Sequence, residues 1–279
     1  MHRPLLPAFI LALLFTAIFS VPGQAGPTAA RIAGHRAAYN LELLEAQEGA
    51  SVSAVDGRMV LEVTDACDGY TLHQRIVLRI FDNHGGVVTS DFRMTSWEDA
   101  KGHSFRFNTR EEVNGKEIQA FDGEAALDNA KGGEVTLTGG DAGSLALKNG
   151  TVFPTAHTRE LIDLAMRGEK LLSIDVFDGS KGLGSLFATS AFVGTSFAAG
   201  DYQAEHKGSE LLIDDPSWSV QVAYFPYIDG SEKRGELPEF EIGYRIFMNG
   251  IVSDLQVDYG EFEVSGALDE LEILPDPGC

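Results

Sequence analysis

Residues 56–83 read DGRMVLEVTDACDGYTLHQRIVLRIFDN. After an Asp-Gly pair, apolar side chains recur at Met59, Leu61 and Val63, the two-residue period of a half-buried strand. The second half, from Tyr70 onward, is rich in the β-branched and aromatic residues that suit a pleated surface. Asp56-Gly57 reads as a turn, and two strands follow it. Upstream, HRAAYNLELLEA alternates through Ala37, Tyr39, Leu41 and Leu43. Downstream, GGVVTSDFRMTSWED, HSFRFNTREEV and KEIQAFDGE repeat the form, each bounded by Gly, Asn or Asp. EVTLTGG and SLALKNG are shorter candidates, and later come KLLSIDVFDGS, LFATSAFVG, ELLIDD, SWSVQVAYF, FEIGYRIFMNG, IVSDLQVDYG and FEVSGALDELEIL. About fourteen strands are expected, at the close spacing of antiparallel sheets. Asn249-Gly250 marks a hairpin with a two-residue turn.

One segment breaks the pattern. FPTAHTRELIDLAMRGEK predicts an amphipathic helix near 155–167, with Pro154 and Thr155 at its start. Leu161, Ile162, Ala165 and Met166 form its stripe, and Gly168 closes it. Such a stripe must be buried, across the concave face or open mouth of a curved sheet, or on the outside of a sandwich.

The first residues, MHRPLLPAFILALLFTAIFSVPGQAGP, run from Arg3 through an apolar stretch to the small-residue pattern Gly23-Gln24-Ala25. This is the order of a secretory signal peptide over residues 1–25, with cleavage between Ala25 and Gly26. The exported remainder, residues 26–279, lacks both a linker and a repeat and is expected to be one soluble domain. An exported chain meets an oxidising space, where two cysteines pair rather than stay free. A bridge between Cys67 and Cys279 closes a loop of about 210 residues, worth roughly 5 kcal/mol by chain entropy. It is expected to tether the final strand to an early one.

The sequence holds 42 acidic and 21 basic side chains, a formal charge of −21. Removing a leader with one arginine and no acid leaves about −22. Such a surface repels phosphate backbones and anionic headgroups, which argues against nucleic acid as a partner.

The motifs that suggest chemistry lack their partners. Gly194-Thr195-Ser196 resembles the serine signature of subtilisin-like proteases, but the Asp and His stretches those enzymes need are absent. Gly179–Gly184 (GSKGLG) has the wrong glycine order for a phosphate loop and reads as a hairpin loop. His157 and Glu160 lack the second histidine of a metallopeptidase helix, so both are expected to be solvated. His84 and His103 sit beside turn glycines, Trp97 and Trp218 read as core anchors, and Asn149-Gly150-Thr151 is only a sequon. No catalytic, metal or cofactor set is expected.

Taken in order, HRAAYNLEL, CDGYTLHQRIVLRI, VFPTAHTRELIDLA, DVFDGS, VDYGEFEVSGALDELEILP and the terminal cysteine resemble the envelope integrity protein B family of Gram-negative cell envelopes. The resemblance spans nearly the whole exported chain except GTSFAAGDYQAEHKG (194–208), which matches no family motif. It implies a periplasmic β-spiral: one antiparallel sheet of about fourteen strands, curled so that its ends overlap. It also implies a Cys67–Cys279 disulfide and a non-enzymatic role in envelope integrity, with other periplasmic or outer-membrane proteins as partners. The implied fold is similar to the half-barrels of lipoprotein carriers, which makes a lipid or acyl-chain carrier the alternative. A hydrolase is a distant third.

Overall fold

The computed structural model describes residues 31–128, 131–139, 142–228, 231–232 and 237–279. Its strands in chain order are β1 His35–Ala46, β2 Val52–Asp65, β3 Gly69–Asp82, β4 Val87–Asp99, β5 Ser104–Val113, β6 Lys116–Asp128, β7 Gly132–Gly139 and β8 Gly143–Leu147. The helix α1, Pro154–Met166, follows. Then come β9 Leu171–Phe177, β10 Leu186–Phe197, β11 Ser217–Ile228, β12 Ser231–Glu232, β13 Phe240–Phe247, β14 Val252–Asp258 and β15 Phe262–Ile273.

All fifteen strands belong to one antiparallel sheet, ordered β8-β7-β6-β5-β4-β3-β2-β1-β15-β14-β13-β11-β10-β9, with β12 attached to β11. The chain thus starts in the middle of the sheet and steps outward to one lip at β8. It crosses through α1 to the other lip at β9 and steps back until β15 lies beside β1. The β1–β15 seam runs from His35 opposite Ile273 to Ala46 opposite Phe262.

The sheet does not close into a barrel; it curls until the two lips touch. Just past β8, Val152 donates its N–H to the Asp175 carbonyl (2.9 Å) and accepts from Phe177 (3.0 Å). This makes a single parallel bridge to β9. Behind it, the Phe177 ring lies 5.6 Å from Phe107 and 6.4 Å from Phe105, and Phe105 stacks on Phe153 at 5.1 Å. Aromatic pairs at these separations add to the stabilisation from burial. Across the other half, Leu161, Ile162, Leu164 and Ala165 of α1 pack on Val193, Trp218, Val220 and Ile246. The helix therefore lies on the core face of β10, β11 and β13. A third cluster joins Tyr39, Leu41 and Met59 to Phe247, Leu268 and Leu271 around the seam.

Several local expectations change. Asp56-Gly57 is no turn: it lies inside β2, opposite Arg79 and Leu78. A side chain at 57 would meet the Val77 carbonyl and Leu78, so this glycine permits a close approach of strands. ELLIDD is a short 3-10 helix (Ser209–Leu212) rather than a strand. The hairpin at Asn249-Gly250 is longer than two residues, with a positive φ at Gly250 but not at Asn249. Met166, expected in the helix stripe, is exposed, whereas Leu164 is buried. The course of 194–208 is also defined. Tyr202 packs edge-on against Phe247 at 5.0 Å, and Lys207 exchanges backbone hydrogen bonds with Asp269 and Leu271 of β15.

Candidate functional site

At the β2–β3 turn, Cys67 adopts a left-handed φ of 67°, and its N–H donates to Asp65 Oδ1 at 2.9 Å. An aspartate two residues back stabilises such a turn locally. Beyond β15 the chain continues as an irregular tail held at three points. Leu274 donates its N–H to the Gly34 carbonyl at 2.8 Å. Arg31 bridges the two sides, donating to Asp65 at 2.8 Å and to Asp276 at 2.9 Å. Cys279 is joined to Cys67, with Cα atoms 5.8 Å apart. The Gly278 N–H, and then the Arg31 guanidinium, hold the Asp276 carboxyl below its ordinary range. The bond therefore ties a short tail to a turn. The final strand itself needs no tether, because β15 is an interior strand with neighbours on both sides.

The helix is fastened to the other half of the sheet. Phe153 at its N-cap offers no side-chain acceptor. Glu98 of β4 supplies one from across the fold, accepting the N–H groups of Thr155 (2.7 Å) and Ala156 (2.8 Å). Arg159 adds a bond to the Ala100 carbonyl at 2.9 Å. Those first-turn donors have no partner within the helix, so an acceptor reaching them from outside holds it in place. Burial pushes the Glu98 carboxyl up to about 7, against the pull of the two N–H donors. One turn on, His157 is buried with Nε2 unpartnered, and burial pushes it down to about 4.

Outside the seam lies a mixed-charge groove. The registers place Arg36, Arg58, Arg75, Arg79, Arg93, Arg106 and Arg110 on one face of β1–β5, opposite the core. Arg75 and Arg93 share Asp91 at 2.7 and 2.6 Å, and Arg75 above all holds that carboxyl below its ordinary range. Arg106 stacks over Trp97 at 4.8 Å. A cavity of about 510 Å³ opens here between Arg36, Val60, His73, Arg93 and Lys207. Its acids, Glu62, Glu270 and Glu272, nearly balance its cations, so it is amphoteric rather than an anion trap.

Comparison with known proteins bears on the whole of this arrangement. A family model described as EipB-like matches residues 27–275. The chain belongs to the EipB-like family. It is 35% identical over 261 residues to the cell envelope integrity protein EipB of Brucella abortus (strain 2308), covering 92% of this chain and 91% of that protein. It is also similar to the crystal structure of a beta-barrel-like protein of a domain of unknown function from Brucella abortus. The TM-score is 0.79 at 34% identity, over 88% of this chain and 100% of that one.

In this EipB-like chain the residues singled out from sequence do not converge. Ser196 is exposed near the end of β10, opposite Trp218, and no hydrogen bond joins it to a histidine among the described residues. His157 is buried rather than solvated, while Glu160 is exposed. Trp218 anchors the core under α1, but Trp97 faces outward beneath Arg106. Gly179–Gly184 does join β9 to β10, yet it turns inward. A side chain at Gly179 would lie 2.8 Å from Phe107, and one at Gly182 2.9 Å from Phe121. Thr109 Oγ1 locks this plug by donating to the Gly179 carbonyl at 3.0 Å. His84 is exposed and His103 half-buried, and Asn149 lies in an exposed turn. Among the described residues, no three His, Cys, Asp or Glu side chains are grouped to hold a metal, and no helix is long and apolar enough to cross a membrane. The expected cleavage site, Ala25 and Gly26, lies outside the described residues. Glu98 went unnoticed because one acid in a strand carries no sequence signal. The arginine face had one: Arg75 and Arg79, like Arg106 and Arg110, recur at even spacing within a strand.

Proposed function

We propose that this chain is exported into the periplasm of a Gram-negative envelope, after cleavage following Ala25. There it supports envelope integrity without catalysis, by engaging other envelope proteins through a disulfide-tied β-spiral. The observation that carries this reading is end-to-end similarity to a relative named for cell envelope integrity, 35% identical over 92% of this chain. The inward plug and the scattered candidate nucleophiles support a scaffold rather than an enzyme. In a bacterium that carries this chain as its sole EipB-like protein, deletion should raise dye uptake and detergent sensitivity. The intact gene should restore both. A deletion strain with an unaltered barrier would refute the envelope role.

A lipid or acyl-chain carrier is the second reading. It draws on Ile76, Leu78, Ile80 and Phe92, which face the core side yet are only partly buried. Delipidated protein offered a labelled fatty acid tests it: no saturable uptake removes the carrier.

A further inference from the structure

The two lips are the edges of the sheet's main strand order, and the β9 lip is half-dressed. In β9 the odd-numbered residues turn their backbone groups away from β10. Lys170 accepts from Val193 on the β10 side, while Asp175 and Phe177 bond Val152 on the other. By the same alternation, Leu171 and Ser173 direct N–H and C=O toward the outer edge, where neither has a backbone partner among the described residues. Val152 dresses only the last turn of that edge. Its own chain leaves at once, through Gly150 at φ 89° before it and Pro154 after it. The undressed end is open to solvent: Leu171 is 74% exposed, and its cross-strand neighbour Phe192 is 51% exposed.

We propose that the Leu171–Ser173 edge of β9 is a docking site for an extended peptide segment of a partner protein, added as a further strand. The proposal rests on the protein-engaging role above and gives it a place. The backbone fixes the occupant's chemistry, because a row of paired donors and acceptors is satisfied only by another extended backbone. Val152 shows that this edge accepts backbone pairing at one residue. The exposed Leu171–Phe192 pair calls for an apolar side chain on the partner's outward face. The chain's −21 charge favours basic flanks on the partner. Unprotected edges that pair with foreign strands are a general hazard, and the Leu171–Ser173 stretch holds neither a proline nor a charged residue.

The probe is a fluorescent peptide of roughly eight residues, alternating valine and threonine with lysine ends, titrated into the full exported chain. Saturable binding is expected, weakened about tenfold by Ser173→Pro, which removes the outward N–H while leaving the β10 side intact. Leu171→Asp, at an exposed position that folding tolerates, should weaken it similarly and guards against a proline that unfolds the strand. N-methylating alternate peptide residues should abolish binding for one set and spare it for the other. Binding by both variants as tight as by the wild type, or indifference to which set is methylated, overturns the site. So does the absence of saturable binding at about 1 mM, a weak limit even for a single docked strand. A Ser173→Pro chain that restores the envelope barrier as well as the wild type also overturns the site, yet leaves the envelope role standing.

Discussion

Replacing Cys279 with serine removes a covalent tie and almost no packing, because Cys67 and Cys279 are both exposed. In the folded state the β1–β15 ladder already holds the chain ends together. The loss therefore acts on the unfolded chain, which is freed from a closed loop spanning a separation of 212 residues. Chain entropy sets that effect at roughly 5 kcal/mol, an upper figure because real denatured chains retain structure. Unfolding entropy near 2 cal/mol/K per residue, over about 250 residues, converts it to a fall in Tm of about 10 °C. Calorimetric melts of oxidised protein should show this drop for Cys279→Ser and the same drop for Cys67→Ser. The double variant should fall no further, since each single change already breaks the one bond. Reduced wild type should melt with the variants. A drop below about 2 °C would refute the argument, as would a double variant much worse than either single.

Phe177→Ala should cost about 3–5 kcal/mol, because it empties a fully buried site between the lips, and an urea melt that moves by less than about 1 kcal/mol would show the lips held otherwise. Gly179→Ala should destabilise clearly more than Gly150→Ala: both residues have positive φ, but only the first meets Phe107, so equal losses would dismiss the plug. Glu98 and His157 oppose each other with pH, each displacement worth roughly 3 kcal/mol. The folded Glu98 pKa of about 7 lies above its ordinary 4.5, so this group's contribution is lost as pH rises between them. The folded His157 pKa of about 4 lies below 6.5, so its contribution is lost as pH falls through that window. Glu98→Gln should therefore unmask acid destabilisation below pH about 6.5 in thermal melts, and a flat profile would contradict the assignment.

Strand periodicity was legible wherever one face met the core and the other met water. β1 shows it in Tyr39 and Leu41 against Arg36 and Asn40. The Cys67–Cys279 pairing was legible too, because two thiols have a single intramolecular solution. Register and direction of curl were not, since they depend on contacts far apart in sequence. Asp56-Gly57 misled because a glycine forced by a close strand approach looks the same as one forced by a turn. His157 misled because it is polar: Leu161 and Leu164 follow it at four and seven residues, so helical spacing sets it on the buried face of α1. The inward course of Gly179–Gly184 depends on Phe107 and Phe121, some sixty to seventy residues away, which no local pattern reveals.

The topology explains why Cys279 is bonded to Cys67. An open sheet that begins and ends at its own centre has two kinds of weak line, one seam and two lips. At the seam the ladder from His35–Ile273 to Ala46–Phe262 is reinforced by the Arg31 ion pairs and by the disulfide, which closes a covalent loop from Cys67 to Cys279. The lips have one parallel bridge at Val152, a phenylalanine cluster, and a helix whose cap comes from Glu98 on the opposite half. Local opening free energy follows contact density and tethering, so the lips should exchange amide hydrogens before the seam does. A surface that must accept a partner's backbone belongs on the line that opens first. If β1 and β15 exchanged faster than β8 and β9 in the oxidised protein, this division between a fixed seam and a yielding lip would be wrong.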